Sequence, residues 1–237
     1  MIQVNNGEDD WQIRPYQERD RAAVWQLAAD TAFFGAPIEA FLDDRAAFCE
    51  AFVAYYTDYE PEHLWVAEQN GHVVGYVSGG TNKRRARVMA WHILPRVIGR
   101  WLRGRYRVGR KTLRFVWHSL CAWLRREVPG ISSVRFPAHL HINVAATARG
   151  RGIGQALLRV CLARFWAEGV SGVHLHTTDQ NRSACRLYER LGFRLLEKRK
   201  TNLWNNLIGM PVENRVYGIV PAWQIPLARS ESEKAAV

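Results

Sequence analysis

The stretch Ile142-Asn143-Val144-Ala145-Ala146-Thr147-Ala148-Arg149-Gly150-Arg151-Gly152-Ile153-Gly154-Gln155 reads as the joint between a strand and a helix. Three glycines in five residues let the backbone turn tightly and present successive N–H groups with no Cβ in the way. They stand where a helix begins, so unpaired amides and the positive end of the helix dipole point together. Such a turn suits phosphate or pyrophosphate, and Arg149 and Arg151 add positive charge beside it. A glycine-rich turn chosen only for close strand–helix packing is the plainer alternative. The spacing is G-x-G-x-G, not the G-x-G-x-x-G of dinucleotide folds, and the lysine of nucleotide-triphosphate loops is absent.

Some thirty residues on stands a second marked segment, from Asn181 through Ala184 and Tyr188 to Gly192 and Phe193. Asn181 suits a helix N-cap and Gly192 the residue just past a helix end. Asn181 and Tyr188 are seven apart, hence on one face and about 10 Å apart along the axis. An amide and a phenol so placed can follow an elongated ligand. The same pattern also describes a capped helix with Tyr188 as a half-buried core aromatic.

The flanking pattern is mixed. A strand is expected over 11–15, a helix capped by Asp20 to about residue 32, and a second helix over 38–56. A hairpin follows over 63–68 and 72–78, turning at Asn70-Gly71. Beyond it come a strand over 138–145, a helix over 153–167 and a strand over 172–178. A helix over 181–191 and strands over 193–200 and near 215–220 complete the series. The fold class is α/β (α+β), with helices on both faces of a mixed sheet.

Composition sets outer limits. With 237 residues, 48% apolar and 23% charged, the chain is not a largely disordered one. No window reaches the roughly 18–20 apolar residues of a membrane span. The N-terminus lacks the basic-then-apolar order of a signal peptide. Cysteines 49, 121, 161 and 185 are never paired at metal-ligand spacing, so no metal and a reduced, cytoplasmic location are expected. The net charge of +11 is uneven. Between Lys83 and Phe136 stand fifteen Lys or Arg against one acid, Glu127, so that segment is +14 and the remainder −3. Four of the ten tryptophans (Trp91, Trp101, Trp117 and Trp123) lie in it. We expect a single domain over 1–237, with a basic helical insertion over 81–136 and a flexible tail over 229–237.

The two motifs together resemble the GNAT acetyltransferase superfamily. Its [Q/R]-x-x-G-x-[G/A] signature is met from Arg149 to Gly154, and its N-x-x-A-x-x-x-Y-x-x-x-G-F element from Asn181 to Phe193. Residues 31–39, 55–62 and 137–142 resemble a bacterial branch similar to the acetyltransferase-like domain of animal O-GlcNAcase. The resemblance implies a sheet splayed at the strand before the glycine loop, with acetyl-CoA as cosubstrate in the opening. It implies that Arg149, Gly150, Arg151, Gly152, Ile153, Gly154 and Gln155 hold the pyrophosphate. The main chain of Ile142 and Val144 would pair with the pantetheine arm, and the Val144 amide would polarise the thioester carbonyl. Asn181 would bond the arm, and Tyr188 would protonate the departing thiolate or at least hold a water against it. For the base that deprotonates the acceptor, His141 and the loop acids Glu60 and Glu62 are candidates. Their plainer readings are a core histidine and a solvated loop, and strand alternation puts His139 and His141 on the face away from Ala138.

The function expected is acetyl transfer from acetyl-CoA to a primary amine, small molecule or peptide, by direct attack in a ternary complex. A module that binds acyl-CoA without turnover is the alternative, as is a protein using its basic segment on a membrane or nucleic acid. The resemblance allows a homodimer. Tryptophan with arginine suits weak contact with an anionic membrane surface, a lid over an acidic substrate, or merely solvated helices packed on the core. No nucleic-acid-binding motif accompanies the charge.

Overall fold

A computed structural model of the chain describes residues 4–5 and 11–223. The predicted tail over 229–237 lies outside them. Eight strands form one sheet: β1 (Val4–Asn5), β2 (Trp11–Pro15), β3 (Leu64–Gln69), β4 (His72–Thr81), β5 (Ala138–Val144), β6 (Val173–Thr178), β7 (Arg194–Thr201) and β8 (Val212–Ile219). They lie in the order β1-β2-β3-β4-β5-β6-β8-β7. Every neighbouring pair is antiparallel except β5 and β6. The hairpin turn is as expected, with Asn70 and Gly71 both at positive φ (50° and 77°).

Helices α1 (Arg21–Thr31) and α2 (Arg45–Phe52) cover one face of the sheet, and α6 (Ile153–Ala167) with α7 (Arg182–Arg190) the other. Ile153, Leu157, Leu158, Leu162 and Phe165 of α6 are buried against Val77, Leu140, Val173 and Leu175, which come from both halves of the sheet. On the other face Val24, Leu27 and Ala28 of α1 pack with Phe41, Leu64, Val66 and Tyr76.

The single helix expected over 38–56 is instead three pieces: a 3-10 turn Ile38–Ala40, α2, and a π turn Tyr55–Tyr59. Two adjacent acids make the first break. Asp44 caps α2, its carboxylate accepting from Ala47 N–H at 2.8 Å. Asp43 turns outward and accepts from Gly109 N–H and Thr112 N–H (2.9 Å each) and the Thr112 hydroxyl (2.7 Å). Asp20 stands before α1 but does not cap it, because Arg14 at 2.6 Å and Gln17 N–H at 2.9 Å take its carboxylate.

The basic segment forms α3 (Asn82–Val88), a π turn Met89–Ile93, α4 (Leu94–Leu102) and α5 (Arg110–Leu124). It leaves β4 and re-enters β5 at one place. Thr81 pairs with Ala138, and Asn82 donates from its backbone to Pro137 O (2.8 Å) and from its side chain to Phe136 O (3.0 Å). Buried Glu50 of α2 accepts from Tyr106 Oη at 2.9 Å and from Arg100. Buried Glu127 accepts from Thr201 Oγ1 and Asn202 N–H (2.9 and 2.8 Å). Since Asp43 supplies the cap of a helix far along the chain, Asp43→Ala should lower stability by about 1–2 kcal/mol. Amide exchange should speed up in the first turn of α5 before it does so in α6. Uniform acceleration, or none, would reject this role for the cap.

Candidate active site

Strands β5 and β6 pair through only Ala138↔Val173 and His139↔His174, and then part. On its other side β5 stays paired with β4 along its whole length, without a bulge. Because Ala145 N–H bonds Val74 O, alternation makes 143/76, 141/78 and 139/80 the hydrogen-bonded pairs. The backbone groups of Leu140, Ile142 and Val144 therefore point toward β6, into the opening where β6 has turned away. Arg149 Nε reaches Val144 O at 3.1 Å. Among the described residues no strand pairs with the Ile142 carbonyl or with the Ile142 and Val144 amides, which leaves them as an open hydrogen-bonding edge.

The glycine turn lies at the wide end of that edge. Gly150 and Gly152 have φ of 82° and 79°, a region that costs any other residue. Gly154 serves packing: a Cβ there would lie 3.1 Å from Leu187 Cδ2 of α7. Helix α6 starts at Ile153, as expected, and the amides of its first turn have no partner within the helix. Ile153 is buried beneath the turn, whereas Arg151 and Gln155 are exposed beside it. Arg149 differs from its expected place. Its guanidinium bonds Val144 O and, at 3.3 Å, Gly35 O, and so braces the turn against the Phe33–Ala36 hairpin instead of turning its charge toward the amides at the start of α6.

Across the opening, α7 places Asn181 and Tyr188. Asn181 stands at the N-cap position but does not cap; its Nδ2 donates to Thr177 Oγ1 of β6 at 3.1 Å. The Tyr188 ring is buried between Phe193 and Tyr217, each 5.8 Å away between centroids. Burial raises its pKa, which keeps the phenol protonated through the neutral range. Gly192, at φ 91°, ends the helix.

The face opposite α6 carries a group that our reading of the sequence had not assembled. His139 and His141 on β5 lie beside His174 and His176 on β6, with ring centroids 5.5–6.0 Å apart in successive pairs. Asn82 gives its amide N–H to Phe136, so its oxygen accepts from His139 Nδ1 at 3.0 Å. His139 Nε2 then accepts from Tyr56 Oη at 2.8 Å, and the ring is neutral. Burial first, then His141 and Arg85, lower His139 to about 2. His141 and His176 are exposed in the opening, yet the protein packed around them lowers both by desolvation first, followed by Arg85 for His141 and by His174 and then Arg85 for His176. The signal was present as two His-Leu-His strands, His139–His141 and His174–His176, whose period-2 alternation sends all four rings to one face.

Glu60 is not in the solvated loop that the sequence suggested. It is buried, taking the Tyr55 hydroxyl on Oε2 and approaching His63 Nδ1 at 3.0 Å on Oε1. His63 reaches Glu168 at 2.7 Å with its other nitrogen. Burial lowers the His63 pKa, but the two carboxylates outweigh it and the net shift is upward. A Cβ at Gly80 would stand 2.8 Å from Glu60 Oε2, so this carboxylate sits at the closed end of the sheet, beside the His139↔Gly80 pair. Both its oxygens are engaged. Glu62 is exposed and paired with Arg84. Ligand atoms of Glu60, Glu62 and His63 lie within 4.8 Å of one another, and Arg84 and His63 answer their charge.

A splayed parallel pair, a glycine turn at its mouth and a tyrosine helix across from it form one arrangement, and the Acetyltransferase (GNAT) family model matches residues 21–193. The chain belongs to the GNAT family. Among solved structures, SsHAT is 31% identical with a TM-score of 0.68, over 89% of this chain and 98% of that one. The polyamine N-acetyltransferase of Drosophila melanogaster shares the fold at 17% identity, with a TM-score of 0.59 over 89% of this chain and all of its own. The putative acetyltransferase yncA of Salmonella typhimurium, solved with acetyl-CoA, does so at 15% and 0.53, over 90% and 94% of the two chains. Human N-acetyltransferase 8B is 32% identical over 82 residues, 35% of this chain and 36% of its own length. Rat N-acetyltransferase family 8 member 2 is 29% identical over 83 residues, 35% of this chain and 37% of its own. The chain thus aligns with little more than a third of either curated relative.

The buried histidine gives a pH test. Folding lowers the His139 pKa from 6.5 to about 2, so only the unfolded chain takes up this proton as pH falls through 6.5. The associated stability is complete above pH 6.5 and declines below it, by about 1.4 kcal/mol at pH 5.5. Chemical denaturation at pH 7.5 and 5.5 should show His139→Gln losing that much less than wild type over the interval. Identical losses would reject the linkage.

Proposed function

We propose that the protein moves the acetyl group of acetyl-CoA to a primary amine, on a small molecule or a peptide, by direct attack in a ternary complex. The open β5 edge running into the glycine turn carries this reading, because it offers main-chain partners to a pantetheine arm and amides to a pyrophosphate in one line. Residues 149–155 would hold the phosphates through backbone N–H groups, with Arg151 adding charge and Arg149 bracing the turn. Ile142 would pair with the arm through both backbone groups, and Asn181 would bond it from the far side.

The Val144 amide would stabilise charge on the thioester oxygen, an oxyanion-type donor. The amine must arrive neutral. His141, uncharged at neutral pH and facing the opening, is three residues or about 10 Å along the strand from Val144. Through a chain of waters it would take the proton that the nitrogen loses as the C–N bond forms. Tyr188 would give its proton to sulfur as the C–S bond breaks. Glu60, walled in by Tyr55 and His63, is left to hold the N-terminal layer together. Residues 31–39, 55–62 and 137–142 support placing the chain near the acetyltransferase-like domain of animal O-GlcNAcase. Its four free cysteines suit a reduced cytoplasm.

Acceptors are found by screening amines with acetyl-CoA and following thiol release. Release absent with every amine, while acetyl-CoA still binds, would point to a binding module and overturn the reading. On an accepted amine, Tyr188→Phe keeps the packing against Phe193 and Tyr217 and removes only the proton. Affinity for acetyl-CoA should stay within about three-fold and kcat should fall about 10–10³-fold. Unchanged kcat with chemistry rate-limiting would remove the phenol from the mechanism. Gly152→Val should weaken acetyl-CoA binding at least about ten-fold by forcing the turn out of positive φ, and unchanged calorimetric affinity would reject the loop assignment.

A further inference from the structure

The insertion turns its charge-matched side inward and leaves an apolar stripe facing out. Arg96, Arg100 and Tyr106 reach Glu50, the start of α5 is held by Asp43, and Phe115 and Ala122 face the protein. On the outer side of α4 and the turn before it, Trp91, Leu94, Ile98 and Trp101 recur at spacings of three and four and are exposed. On α5 the series Leu113, Val116, Trp117, Leu120, Trp123 and Leu124 does the same. The tryptophans are far out in solvent: Trp91 is 76% exposed, Trp101 51%, Trp117 64% and Trp123 69%. Soluble monomers rarely expose so many large apolar side chains in one region.

The charge around this stripe decides what can cover it. Lys83, Arg87, Arg103, Arg105, Arg110 and Arg114 are exposed, with no carboxylate partner among the described residues. A second copy of the chain laid on the same face would oppose one +14 segment with another. Nucleic acid would satisfy the arginines but offer nothing to Leu94, Ile98, Leu113, Val116 and Leu120. An anionic bilayer surface answers both: acyl chains for the stripe and headgroups for the rim. No helix among the described residues is long and apolar enough to cross a membrane, so the contact would be peripheral.

We infer that α4 and α5 are a membrane-docking surface that lies in the headgroup region of anionic lipid bilayers. The contact does not depend on the acetyl-transfer reading. It is tested on the full chain by flotation with phosphatidylcholine vesicles, with and without phosphatidylserine, at low and high salt. Binding should require phosphatidylserine and weaken as salt rises. Trp101→Glu with Leu102→Glu on α4, and separately Trp117→Glu with Trp123→Glu on α5, should each weaken it at least about ten-fold. These side chains are solvent-exposed, so melting temperature and acetyl-CoA affinity should be unchanged in both variants. Three results would overturn the inference: no binding to any vesicle; binding that the glutamates leave intact; or a dimer in sedimentation that the glutamates dissociate while vesicles go unbound. Tight salt-sensitive binding to duplex DNA that the glutamates do not affect, with no vesicle binding, would give the surface to nucleic acid instead.

Discussion

Two residue pairs are all that join β5 to β6, and the architecture is organised around that short seam. Each half of the sheet is complete without it. Seven positions of β4 pair with β5, and six of β6 pair with β8, so neither strand needs the other for its ladder. Helix α6 spans both halves from below, its leucines and Phe165 packed on Leu140 of one and Val173 and Leu175 of the other. Burial under that helix holds the halves together while their upper ends diverge. The divergence leaves main-chain donors and acceptors of β5 without strand partners. Water or a ligand must meet them, because an unmet buried group costs about 1–3 kcal/mol. Since α6 follows β5 directly, its N-terminal amides fall at the wide end of the same gap.

Opposite α6, the gap is walled by imidazoles that the protein keeps neutral. Four rings within contact of one another and of the Arg85 field cannot all carry charge, and burial of His139 and His174 settles the matter further. The Tyr56–His139–Asn82 chain fixes one tautomer and points the other valence of the histidine at a phenol, not into the opening. This leaves His141 and His176 as the members free to meet something that enters. The cationic Arg85 beside these neutral rings disfavours a further positive charge on the histidine wall.

Regular elements were legible because their local signals were complete. The bounds of β2 and α6 fall where periodicity and the glycine turn put them, and Asn70-Gly71 makes its hairpin. Illegible were the choices made between distant partners. Nothing local says that Asp44 caps its own helix while Asp43 caps one that begins at residue 110. Glu60, in a Pro- and Glu-containing loop, has the composition of a surface residue, and only the Tyr55 and His63 side chains folding over it make it a core one. Arg149 looked like an anion ligand because it adjoins the glycine turn. Its length allows it to reach back to Val144 and across to Gly35, where two carbonyls needed a donor. The paired His-Leu-His strands were readable in principle, but the reading required knowing that β5 and β6 run parallel in register.

The insertion follows the same logic of inward and outward faces. An excursion from residue 82 to 137 with tied ends loses about 3–4 kcal/mol of chain entropy on closure. Asn82 bonded to Phe136 and Pro137 at its base, with Asp43, Glu50 and Glu127 along its length, opposes that loss. Asp43 and Glu50 meet amides and a cation of the segment from inside, and the segment's own Glu127 accepts from Thr201 and Asn202 of the core. What remains outside is a set of arginines without a carboxylate partner among the described residues, and rows of tryptophan and leucine that no helix or strand among those residues covers. Packing on the core therefore accounts for the inner half of each helix. The outer half is what the inferred bilayer contact would cover.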